Sequence, residues 1–111
     1  MEMTQERDGN VVVVKAVGRL DSAAVKTAED GFDAAIGRTA PHLVVDMSGL
    51  EYISSAGLRV LLMLAKKVQT TKGKLALYGL QPNVKAVFAV SGFDTILSVQ
   101  ADRAAALAAV R

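Results

Sequence analysis

The chain has 111 residues, 51% of them hydrophobic and 22% charged, with 13 Lys+Arg against 11 Asp+Glu and no cysteine. That length gives room for one domain with one core, and the apolar fraction is opposite to the composition of disordered chains. The absence of cysteine removes disulfides, a thiolate nucleophile and sulfur-based metal sites, which fits a reducing compartment such as the cytoplasm.

The opening segment MEMTQERDGN is acidic and polar where a secretory signal would be basic and then apolar, so no cleavable leader is expected. Two strand-like runs follow, Glu2 to Arg7 and Val11 to Val17, and the Asp8-Gly9-Asn10 step between them predicts a hairpin. Gly18-Arg19-Leu20-Asp21-Ser22 ends the second strand, with Asp21 or Ser22 able to cap a helix. Val25, Ala28, Phe32, Ala35 and Ile36 then recur at spacings of three and four, giving one apolar stripe that stops near Gly37.

Pro41 and His42 lead into Leu43-Val44-Val45-Asp46-Met47, an almost unbroken apolar strand of the kind buried on both faces. Ser48 to Ile53 reads as a loop, and a long helix from about Ser55 to Lys72 is stopped by Gly73. Leu75 to Tyr78 is a further buried strand. Pro82 at a first helical position, Val84, Val87 and Phe88 as a stripe and Gly92 as a stop predict a third helix. A short strand from Thr95 to Val99 and an Ala-rich helix from Asp102 complete the chain. Helices alternating with strands predict an α/β domain spanning residues 1–111. Its sheet is mainly parallel, of about four to five strands, with the N-terminal hairpin strand antiparallel at the edge and about four helices.

In such a sheet, functional groups collect where strands end and helices begin. Asp21 and Ser22 occupy one such junction; Asp46, Ser48, Ser54 and Ser55 belong to another. The simplest role for the serines and Asp21 is helix capping. A serine hydrolase fails on the same residues, because Ile53 stands where the leading glycine of Gly-x-Ser-x-Gly belongs. The single histidine, His42, enters the central strand at its opposite end, about 16 Å of strand from Ser55. One histidine and scattered carboxylates make no metal site, and no glycine-rich phosphate loop is present. No cofactor and no catalysis are expected.

Charge is unevenly placed: residues 1–51 carry five Lys/Arg and nine Asp/Glu, whereas residues 52–93 carry six Lys/Arg and no acid. The basic residues are spread over two helices and a strand, Trp is absent, and Phe and Tyr total five. Direct nucleic-acid binding is therefore not expected, and no apolar run approaches the roughly 20 residues that span a bilayer.

A serine at a helix N-terminus can carry a phosphate, because exposed N–H groups and the helix dipole stabilise the dianion. Arg59, four residues after Ser55, stands where it can pair with that charge. On the long helix, Leu58, Leu61, Leu62, Ala65 and Val68 form a core stripe. Ala56, Val60 and Met63 fall opposite, with Arg59 and Lys67 among them. Either a neighbouring helix covers this second face or it is a binding surface.

The block Val44-Val45-Asp46-Met47-Ser48-Gly49-Leu50, followed by Tyr52-Ile53-Ser54-Ser55-Ala56-Gly57-Leu58-Arg59-Val60-Leu61, resembles the STAS domain family, in particular the bacterial anti-sigma factor antagonists. Gly18-Arg19-Leu20-Asp21 resembles the family's Gly-x-Leu-Asp element. Lys74 to Tyr78, Pro82, Phe88 and Ser91-Gly92-Phe93 resemble its later half, so the likeness runs through essentially the whole chain.

The resemblance implies a partner switch rather than an enzyme. The unphosphorylated antagonist binds an anti-sigma factor that is also a serine kinase, freeing a sigma factor; phosphorylation releases the complex and a serine phosphatase restores it. It puts the phosphoacceptor at Ser55, with Ser54 as second choice because Ser54 stands where many members carry aspartate. It implies a partner surface of Asp21, Ser54, Ala56, Gly57, Arg59, Val60 and Met63, a cytoplasmic location and no requirement for a homo-oligomer. Two other roles fit the same residues: a permanent STAS subunit of a lipid-transport or stress-signalling assembly, and, less well, a small enzyme acting through Ser55.

Overall fold

The computed structural model describes residues 1–37 and 42–111, so the lead-in at Pro41 lies outside the described residues. Strands β1 (Glu2–Asp8) and β2 (Val11–Leu20) form the expected hairpin, closed by Gly9-Asn10 with Gly9 at φ +63°, the sign a first turn residue of the mirror-image type requires. A single turn, Ser22–Ala24, opens into α1 (Val25–Ile36). The central strand β3 (His42–Ile53), α2 (Ser55–Thr70), β4 (Lys74–Tyr78), α3 (Pro82–Ser91), a turn at Phe93–Thr95, β5 (Val99–Gln100) and α4 (Arg103–Val110) follow.

The sheet order is β1-β2-β3-β4-β5, antiparallel between β1 and β2 and parallel elsewhere. Each parallel strand is added on the same side of the last, and the connecting helices α1, α2 and α3 all pack on one face, as crossovers of constant hand must. Phe32 of α1, Leu61 and Leu64 of α2 and Phe88 of α3 meet Val12, Val14, Leu43 and Val45 there. Among the described residues the other face carries only α4, whose Ala106, Leu107 and Val110 cover Val11, Val13, Val44 and Ala76. The runs Val11–Val14 and Leu43–Val45 are thus buried from both sides, which is why they are continuously apolar rather than alternating.

Three local expectations are corrected. Ser48 to Ile53 is strand, not loop: β3 continues past its last pairing with β4, Asp46 to Tyr78, and stays hydrogen-bonded to β2 as far as Leu20 and Ile53. Two register shifts, between Lys15 and Val17 and between Gly18 and Arg19, absorb the extra residues of β3. Thr95 to Val99 is not a strand; the Thr95 hydroxyl donates to the Gly92 carbonyl at 2.7 Å, holding a turn, and only Val99–Gln100 joins the sheet. On α2, Leu62 is half-buried while Leu64 belongs to the core, and Val60 is only 7% exposed because α1 lies against it.

Candidate functional site

The parallel pairing of β2 with β3 ends at Leu20 and Ile53, and the chain leaves the sheet at adjacent points. Asp21 follows Leu20 and caps the turn before α1, its Oδ1 accepting from the Ala23 N–H at 3.1 Å. Ser54 follows Ile53 in extended backbone, φ −97° and ψ 174°, as an N-cap requires. The Ser54 N–H donates to the Leu20 carbonyl at 3.0 Å, so the two junctions are joined directly.

The hydroxyls of Ser54 and Ser55 have different tasks. Ser54 Oγ accepts from the Gly57 N–H at 3.2 Å and donates to the Leu20 carbonyl at 3.4 Å, in a half-buried position. Ser55 is the first residue of α2, exposed, and its hydroxyl has no hydrogen-bond partner among the described residues. Around it lie the N–H groups of the first turn, which have no acceptor within the helix.

Beside this rim, the Arg19 guanidinium stacks 4.3 Å from the centre of the Tyr52 ring, and its Nε is 3.8 Å from Asp21 Oδ2. Arg19 and Tyr52 are register partners on neighbouring strands. Sequence reading gave neither a role; the signal lay in their positions immediately before the buried Leu20 and Ile53, which puts both on the opposite side of the sheet from those core residues.

Gly57 is buried and pressed against β2. A β-carbon there would stand 2.5 Å from the Leu20 carbonyl oxygen and 2.8 Å from Leu20 Cγ, so only glycine lets α2 start this close to the strand.

From the rim a groove of about 160 Å³ runs between α1 and α2. Its floor is Val25, Phe32, Ala56, Val60 and Leu64, with Met63, 49% exposed, at its lip. Acids edge it on α1, Glu29 and Asp33, and bases on α2, Arg59 and Lys67. Lys67 Nζ bridges to Asp33 Oδ1 at 2.8 Å, and the hydrogen bond and charge of Asp33 hold the ammonium above its ordinary value. Arg59 has no acidic partner among the described residues. The second face of α2 is therefore neither fully covered nor open: α1 buries Val60 and leaves Met63 and Arg59 at the surface. The α1 side of this groove was invisible to a reading of α2 alone.

Asp46 does not join the rim. It lies on the α4 side of the sheet in one transverse row with Thr4, Lys15, Tyr78 and Gln100. Burial alone would raise its carboxyl. Hydrogen bonds from the Ser48 hydroxyl at 2.7 Å and N–H at 2.9 Å outweigh that, with help from the Tyr78 hydroxyl and the Lys15 charge, and hold it below its ordinary value. Tyr78 is raised in turn by burial and by Asp46. His42 stands at the far end of β3, its Nδ1 buried and without a hydrogen-bond partner among the described residues. Among the described residues no cluster of His, Cys, Asp or Glu could hold a metal ion, and no helix is long and apolar enough to cross a membrane.

Comparison with known proteins gives a consistent result. The STAS domain model matches residues 2–106. Over 111 residues, all of this chain and 96% of the other, the sequence is 36% identical to BtrV of Bordetella bronchiseptica, a candidate anti-sigma factor antagonist. It is 26% identical over 100 residues to an anti-sigma F factor antagonist of Paenibacillus polymyxa, covering 89% of this chain and 86% of that one. The crystal structure of an anti-sigma factor antagonist from Mycobacterium paratuberculosis superposes with a TM-score of 0.89 over 99% of this chain and 93% of the other; at 24% identity this is a likeness of fold.

Proposed function

The chain belongs to the STAS domain family, and from that membership we propose that it is an anti-sigma factor antagonist switched by phosphorylation of Ser55. In the unphosphorylated state it binds an anti-sigma factor that is itself a serine kinase and so liberates a sigma factor in the cytoplasm. A serine phosphatase reverses the modification. The chain acts as ligand and substrate rather than catalyst, needs no cofactor, and works without direct contact to nucleic acid, insertion in a membrane or a second copy of itself.

The observation that carries the reading is the division of labour between adjacent serines. Ser54 has its hydroxyl committed to the helix cap, whereas Ser55 offers an exposed hydroxyl, without a partner among the described residues, at the positive end of α2. In the transfer, Ser55 Oγ attacks the γ-phosphorus of ATP held by the kinase. An O–P bond forms to Ser55, the bond to the ADP oxygen breaks, and the hydroxyl proton passes to a base of the kinase. The product carries about −1.5 to −2 charge. Because that charge sits against helix N–H groups, the fold tolerates it while the docking surface becomes negative.

Asp21, Ser54, Ala56, Arg59 and Met63 provide the contact surface, and the buried Gly57 and Val60 shape it from beneath. The test is binding of the cognate anti-sigma kinase, measured by calorimetry. Wild type and Ser55→Ala are expected to bind alike and Ser55→Asp to bind at least tenfold more weakly, about 1.4 kcal/mol. Equal binding by all three would overturn the switch.

A further inference from the structure

We propose that the groove between α1 and α2 receives one amphipathic helix of the anti-sigma partner, an apolar side chain entering beside Met63 and an acidic side chain meeting Arg59. Phosphorylated Ser55 then ends the contact by taking Arg59 for itself. This rests on the reading of Ser55 as the switch and adds to it what the partner presents and how one phosphate dislodges it.

Three observations carry the inference. The groove starts at Ala56, the residue after Ser55, so it is continuous with the switch rim. Its volume of about 160 Å³ and apolar floor suit a single aliphatic or aromatic side chain, and a channel between two packed helices is the shape into which a third helix lays its anchor residues. Of the two bases lining it, Lys67 is already bound to Asp33, whereas Arg59 has no acidic partner among the described residues. On the α1 edge Glu29 is likewise in no ion pair among the described residues, so a docking helix meets one cation in need of an acid on α2 and one acid in need of a base on α1.

Ser55, Arg59 and Met63 stand four residues apart along α2 and so share one stripe. A phosphate on Ser55 lies one turn from Arg59, with three acceptor oxygens and a dianionic charge against the single charge of a partner carboxylate. The intramolecular pair needs no association entropy, so it outcompetes the partner's acid. The docking helix then loses its polar anchor and faces a dianion in its place.

The test uses the full chain with Arg59→Gln, Met63→Glu and Lys67→Gln, titrated with the anti-sigma kinase, and a 31P NMR pH titration of the phosphorylated protein. Arg59→Gln and Met63→Glu are each expected to weaken the unphosphorylated complex about tenfold or more, with Lys67→Gln changing it far less. The phosphoserine of Arg59→Gln is expected to lose its second proton at higher pH than that of wild type. Unchanged binding by Arg59→Gln, or identical phosphate titrations, overturns the proposal while leaving Ser55 as the switch. A concentration-dependent dimer of wild type that Met63→Glu abolishes would assign the groove to a second copy, also overturning it. Failure of the kinase to modify Ser55 would remove the underlying reading and this proposal with it.

Discussion

The carbonyl oxygen of Leu20 lies 2.5 Å from the point where a β-carbon on Gly57 would stand. This approach joins the end of β2 to the start of α2 and sets the height at which Ser55 emerges. Gly57→Ala is expected to cost about 1–3 kcal/mol, the usual penalty for overpacking a closed contact, visible as a lower urea midpoint. An unchanged midpoint would mean that α2 can slide away from β2 without loss.

The two serines at the start of α2 are expected to separate in stability measurements. Ser54→Ala removes the N-cap and the bond to Leu20, and a loss of about 1 kcal/mol follows from the usual value of such caps. Ser55→Ala removes a hydroxyl without a partner among the described residues, so its effect stays within about 0.5 kcal/mol. Thermal unfolding of both variants checks the order.

Much of this was legible in the sequence because its physics is local. The runs at Val11–Val14 and Leu43–Val45 marked doubly covered strands, and spacings of three and four marked α1 and α2. What escaped depended on partners distant in the chain. Ser48-Gly49 looks like a loop until Val17 to Leu20 supplies its backbone pairing. The wheel of α2 shows that Val60 lies away from the main stripe, but only the placement of Phe32 makes it the floor of a groove. Two adjacent serines are equally good caps on paper; the carbonyl of Leu20 decides between them.

Asp46 predicts a pH dependence of stability. Its carboxyl is held below the ordinary value of 3.8 in the folded chain, so it contributes stability that is fully present above that value and is lost as pH falls through the lower folded value. The difference in urea midpoint between wild type and Asp46→Asn is therefore expected to be constant near neutrality and to shrink below about pH 4. Because Asp46 is only partly buried, the change is modest. A difference that grows on acidification would contradict the assignment.

Arg103 and Arg111 tie α4 to β1 through Glu6 at 2.7 Å and Asp8 at 2.8 Å. These pairs are exposed, so Arg103→Ala and Arg111→Ala are each expected to cost no more than about 1 kcal/mol, with the loss diminishing in high salt. Denaturation at two ionic strengths checks both points.

The central claim is that Ser55, and not its neighbour, carries the switch. Its most direct test is intact-mass analysis of wild type, Ser54→Ala and Ser55→Ala after incubation with the anti-sigma kinase and ATP. One phosphate is expected on wild type and on Ser54→Ala, and none on Ser55→Ala. A phosphate retained by Ser55→Ala, or lost in Ser54→Ala alone, would contradict the account.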